Sequence, residues 1–122
     1  VQDALKCKEA GCAAILVSHH HGRIPFGVAP VMVLPKIKAA LEGSGIAIFV
    51  DCGIDTGYDA YKALALGADA VAVGRGILKP LLQQGAEGVE EKVQKMNEQL
   101  SELMMYTCVK DIRSFDASVL YI

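Results

Sequence analysis

The sequence predicts an α/β fold with a parallel sheet, built from repeated strand–helix units. Three observations support this. Short apolar runs recur along the chain, amphipathic stretches of helical length separate them, and one helix-to-strand junction is echoed later. The opening segment up to Ala10 reads as a helix closed by Gly11, a residue suited to a left-handed C-cap. Residues 13 to 18, Ala-Ala-Ile-Leu-Val-Ser, form the first apolar run. Residues 46 to 51, Ile-Ala-Ile-Phe-Val-Asp, form the second, and residues 70 to 74, Ala-Val-Ala-Val-Gly, the third. Runs this short, rich in β-branched residues and apolar on both faces, suit buried parallel strands. Between them, residues 31 to 42 carry Val31, Leu34, Ile37 and Leu41 at helical spacing. Residues 57 to 66 carry Tyr58, Tyr61 and Leu64. Residues 87 to 106 set Val89, Val93, Met96, Leu100, Leu103 and Met104 on one face.

Strands alternating with helices pair in parallel through right-handed crossovers. The segment from Gly11 to Ser18 parallels that from Gly67 to Gly74 at an offset of 56 residues, two strand–helix units. That period favours a (β/α) barrel over an open sheet, although three strands cannot close one. A single domain over residues 1–122 is expected, with no linker or low-complexity tract.

Composition narrows the class further. The chain is 52% hydrophobic and 21% charged with a net charge of −2, which argues against disorder and gives no hint of nucleic acid. No apolar run approaches the roughly 18 residues of a membrane span, and no signal-peptide layout is present. Cys7, Cys12, Cys52 and Cys108 lack metal-like spacing, so reduced thiols in a cytoplasm are expected. The first residue is not Met and falls within a helical pattern, so the segment reads as cut from a longer chain.

In β/α barrels the loops after the strands hold the active site. The first such loop is Ser18-His19-His20-His21-Gly22-Arg23. Consecutive residues leaving a strand alternate in direction, and no carboxylate or Cys nearby completes a ligand set, so no metal is expected. A His followed three residues later by Arg suits acid–base work on a carboxylate substrate. A strand cap with solvated neighbours is an equal alternative. The second loop, residues 51 to 57, offers Gly53 and Gly57, whose backbones could approach a ligand beside a helix start near Thr56. The third, Gly74-Arg75-Gly76, repeats the arrangement with an added cation. Two such loops in succession favour a phosphate site over simple tight turns.

Taken together, Ser18 to Arg23, Asp51-Cys52-Gly53-Ile54, Ala63 to Val71 and Val73-Gly74-Arg75 resemble the FMN-dependent α-hydroxy acid oxidase/dehydrogenase family, in its order and spacing. That family includes lactate oxidase and glycolate oxidase. The resemblance implies a TIM-type (β/α)8 barrel, of which this chain is the C-terminal part, about strands six to eight and their helices. It implies oxidation of a small, lactate- or glycolate-like 2-hydroxy acid to the 2-oxo acid. His20 falls on the family's proton-abstracting His and Arg23 on the Arg that binds the substrate carboxylate. Asp51, Gly53, Gly74 and Arg75 fall on positions holding the FMN ribityl chain and phosphate.

The chain departs from the family pattern in places. Asp55 stands where an Arg normally meets the phosphate, so a favourable charge becomes a repulsive one, unless Asp55 turns outward to cap the following helix. Ile24-Pro25-Phe26 replaces the Leu-Asp that usually follows Gly-Arg. The family's flavin-contacting Lys, substrate-binding Tyr residues and His-orienting Asp would lie in a missing N-terminal half. The alternative to an enzyme segment is therefore a catalytically inactive remnant or subunit with a partial phosphate cradle. A different flavin or phosphate barrel is disfavoured by the Ser-x-His-x-Gly-Arg loop. Unpaired outer strands also imply a homo-oligomer or association with the missing barrel half.

Overall fold

The structure is a computed structural model describing residues 1–121. The chain runs α1 (Gln2–Glu9), β1 (Ala14–Val17), α2 (Pro30–Ala40), β2 (Ala47–Val50), α3 (Gly57–Ala65) and β3 (Ala70–Val71). A 3₁₀ turn (Arg75–Ile77), α4 (Leu78–Tyr106) and a last 3₁₀ turn (Ala117–Val119) follow. The three strands form one sheet in the order β1-β2-β3, all parallel, with Ala14 beside Ala47 and Phe49 beside Ala70.

The echo in the sequence is a repeated helix stop. Gly11 N–H donates to Lys8 O (3.1 Å) and Cys12 N–H to Cys7 O (3.0 Å). Gly67 N–H donates to Leu64 O (3.0 Å) and Ala68 N–H to Ala63 O (3.1 Å). Every partner is displaced by the same 56 residues. Both glycines have positive φ, +74° and +104°, as the Schellman geometry of a helix end requires. The same backbone device thus feeds the first and third strands.

The core lies between the sheet and its helices. Ile48, Val50 and Val17 point into it from the strands, and Leu34, Ile37, Ala60 and Ala63 from α2 and α3. The alternating strand residues face the other way: Leu16 keeps 52% of its surface exposed and Phe49 40%. The expectation that both sheet faces are buried therefore holds for one face only. An apolar face of this kind is what the interior of a barrel presents to strands on the opposite wall.

Two element boundaries differ from expectation. β3 is two residues long rather than five, because β2, its one sheet neighbour among the described residues, ends at Val50, just before the chain turns through Cys52 at φ 65°. The last helix starts at Leu78 and is interrupted at Gly85 (φ 65°, ψ −143°), so the expected helix over 87–106 is its second half. On that half Met96 is buried as predicted, but Val93 is 46% exposed.

Thr56 starts α3 with a capping box: its hydroxyl accepts from Asp59 N–H (3.1 Å), and Asp59 Oδ2 accepts from Thr56 N–H (2.9 Å). Partial burial pushes the Asp59 carboxyl up, but hydrogen bonds from the Thr56 hydroxyl and the Asp55 and Thr56 N–H groups outweigh it and hold it below its ordinary value. A lowered folded-state pKa stabilises the fold above the unfolded value, near 3.9, and the contribution is lost as pH falls through the folded value. Asp59→Asn should therefore lose stability at pH 6 yet show a shallower acid decline below about pH 4. Urea midpoints at pH 6 and pH 3 check this; parallel declines in both proteins would exclude it.

Candidate active site

The loops after all three strands meet at one end of the sheet around a cavity of about 650 Å³. His20 and His21 come from the first loop and residues 51 to 55 from the second. Ala72, Gly74, Arg75 and Gly76 come from the third, and Lys79, Pro80 and Lys92 from α4. His20, His21 and Cys52 line this cavity with positive φ, 49°, 55° and 65°. Non-glycine residues rarely adopt that region, and such strain concentrates at functional sites.

Local hydrogen bonds fix the histidine loop. Ser18 Oγ accepts from His20 N–H at 3.0 Å, and Cys52 Sγ from His21 N–H at 3.2 Å. His19 Nδ1 accepts from Gly22 N–H at 2.9 Å, so this ring holds the loop and lies outside the cavity lining. The three histidines therefore divide into one brace and two cavity residues. Arg23 is exposed and outside the cavity lining, its N–H donating to His19 O (3.2 Å).

Of the positions expected to hold a cofactor, Asp51, Gly53, Gly74 and Arg75 all line the cavity. Asp51 Oδ1 accepts from Cys52 Sγ at 2.9 Å. Gly53 has φ +89°, and neither its N–H nor that of Gly74 has a backbone partner among the described residues. Free N–H groups beside Arg75, Lys79 and Lys92 make a donor set that fits an anion such as a phosphate monoester. Against these three cations stand two carboxylates, Asp51 and Asp55.

Two expectations about the second loop are corrected. Gly57 lies outside the cavity: it is buried against α4, and its N–H donates to Gln99 Oε1 at 2.9 Å. Its lack of a side chain serves helix packing rather than ligand approach. Nor does Asp55 cap α3, since Thr56 does, with its own N–H taken by Asp59. The start of α3 is thus saturated from within the chain and offers no free donors at Thr56 or Gly57. Asp55 pairs instead with Lys92, Nζ to Oδ1 3.0 Å. Lys79 and Lys92 escaped the sequence reading. Lys79 follows Arg75 at helical spacing, a signal that was there to find. Lys92 reaches the site from beyond the break at Gly85, where Gly88 packs against the Pro80 carbonyl.

The model of the FMN-dependent dehydrogenase family matches residues 1–122. The chain belongs to this family. Among FMN-dependent dehydrogenase relatives, L-lactate oxidase of Lactobacillus jensenii is 40% identical over 119 residues, covering 94% of this chain and 29% of the relative. 2-Hydroxyacid oxidase 1 of Homo sapiens is 38% identical over 118 residues, covering 96% of this chain and 32% of the relative. A mutant flavocytochrome b2 with pyruvate bound superposes with a TM-score of 0.91 at 31% identity, covering 96% of this chain and 31% of that one. A mandelate oxidase variant with an FMN adduct gives 0.88 at 35%, covering 93% and 34%. The chain thus spans about a third of the length of the relatives it matches. FMN is the cofactor of the family.

Proposed function

We propose that residues 1–122 form the C-terminal part, about strands six to eight, of a (β/α)8 barrel in a longer parent chain that oxidises a small 2-hydroxy acid to the 2-oxo acid with FMN. The observation that carries this reading is the cavity itself. His20 and the phosphate-type donors of Gly53, Gly74 and Arg75, on loops after three successive strands, open onto one space. Two further facts support it: the chain's share of its relatives' length, and the apolar sheet face that Leu16 and Phe49 leave uncovered. The remaining barrel strands, or a second copy of the chain, are the partner of that face.

Each residue then has a task. Arg75 and the Gly53 and Gly74 N–H groups grip the phosphate, and Asp51 accepts from a ribityl hydroxyl. Bound FMN would supply the two-electron acceptor. His20 takes the proton released as the alcohol becomes a carbonyl, and Arg23 binds the substrate carboxylate. Among the described residues no helix is long and apolar enough to cross a membrane. The four cysteines are free, which suits a reducing cytoplasm.

The absorption spectrum of the purified parent chain tests this reading. Visible flavin bands that bleach when lactate or glycolate is added without oxygen are the expected result. A colourless protein that takes up no added FMN would leave the inactive remnant as the better account.

A further inference from the structure

Read from sequence, Asp55 is an uncompensated carboxylate facing a phosphate. The structure supplies its counter-ion. Lys92 Nζ donates to Asp55 Oδ1 at 3.0 Å, from a position 37 residues further along the chain. The Lys92 side chain is only 22% exposed, whereas that of Asp55 is 62% exposed. Gly76 makes room for the pair, because a Cβ there would meet Asp55 Oδ1. Lysine and aspartate line the same cavity as Gly53, Gly74 and Arg75.

An ammonium group has three donors, and a single bond to Asp55 leaves two of them for another acceptor. With Asp55 neutralised, the cavity keeps a positive balance from Arg75 and Lys79 against Asp51. We propose that Lys92 is a phosphate-binding cation of this cradle, aimed into it by Asp55, and that the pair takes over the work of an arginine at position 55. The inference rests on the FMN reading of the cavity. It adds a residue that strengthens this chain's preference for a phosphorylated flavin over one without phosphate.

The preference can be read directly by titrating the parent chain with FMN and with riboflavin and following flavin fluorescence. Lys92→Met should weaken FMN binding by about 10- to 100-fold, the range of one charge-assisted hydrogen bond, and leave riboflavin binding unchanged. Lys92→Arg keeps the cation and should keep most of the preference. Asp55→Asn added to Lys92→Met should restore part of the lost FMN affinity, because the stranded carboxylate is gone. An unchanged FMN-to-riboflavin ratio in Lys92→Met overturns the proposal. So does an equal loss of both ligands, which would make Lys92 a tether between α4 and the second loop. If the unmutated parent binds neither flavin, the FMN reading fails, and inorganic phosphate decides about Lys92 separately. A phosphate-dependent rise in melting temperature that Lys92→Met abolishes supports the anion site, and a rise equal in both proteins overturns it.

Discussion

If the parent chain oxidises 2-hydroxy acids as proposed, replacing His20 by alanine is expected to lower its turnover by about 10²–10⁴, the usual cost of losing a general base. The three neighbouring histidines separate by geometry rather than by type. His20 lines the cavity and is held by its own N–H on Ser18 Oγ, so truncating its ring leaves the loop's backbone bonds intact. His21 also lines the cavity, and its backbone bond to Cys52 Sγ likewise survives truncation. His19 is different, because its ring accepts the Gly22 N–H. His19→Ala should therefore loosen the loop and raise KM through Arg23 while leaving most of kcat. The measurement is steady-state kinetics on all three variants, with FMN content checked in each. Equal losses at the three positions would contradict the assignment of His20 and point to a purely structural loop.

What the sequence disclosed and what it hid follow from where each signal resides. The strands and the repeated helix stop were legible because both are local. A Gly at the C-cap and a short apolar run need no knowledge of the rest of the chain. The end of each strand marks where its loop must open, and His20, Asp51, Gly53, Gly74 and Arg75, the positions that the family resemblance implied, line the cavity those loops form. The misreadings had one local cause and one distant one. Thr56 and Asp59 close their own capping box, a pattern visible in four residues but outweighed by the attraction of a glycine-rich phosphate loop. Asp55 found Lys92 across a break at Gly85 that a helical pattern beginning at residue 87 does not reveal. The exposed face of Leu16 and Phe49 shows a further limit: an apolar strand declares that a face suits burial but not what covers it.

Gly57→Ala is expected to be the most damaging single-methyl change in the chain. A glycine in a loop of this composition invites a reading based on backbone freedom, but Gly57 does not have a positive φ. Its constraint is distance to α4. A Cβ there would run into the Met96 carbonyl oxygen, and would lie 2.6 Å from Leu100 N and 2.8 Å from Gln99 Cβ. Two of those three atoms are backbone, so a side-chain rotamer change cannot relieve the overlap and α3 must move away from α4. That separation strains the Gly57-to-Gln99 hydrogen bond and the bond from Tyr58 to Glu102, 2.6 Å long. Overpacking a tight contact costs about 1–3 kcal/mol, and rigid backbone neighbours place this one near about 3 kcal/mol. Gly11→Ala provides the contrast. Gly11 has φ +74° with nothing within 4 Å of its would-be Cβ, so only left-handed backbone strain applies, about 1 kcal/mol. Urea unfolding of the two variants should rank them in that order, with Gly57→Ala at the lower midpoint. Its effect should also reach the ligand, because Asp55 and Lys92 sit on the two segments being forced apart, and FMN affinity should fall along with stability. A Gly57→Ala protein as stable as Gly11→Ala would mean that α4 yields without cost, and that Lys92 is less firmly placed than the packing of Gly57 requires.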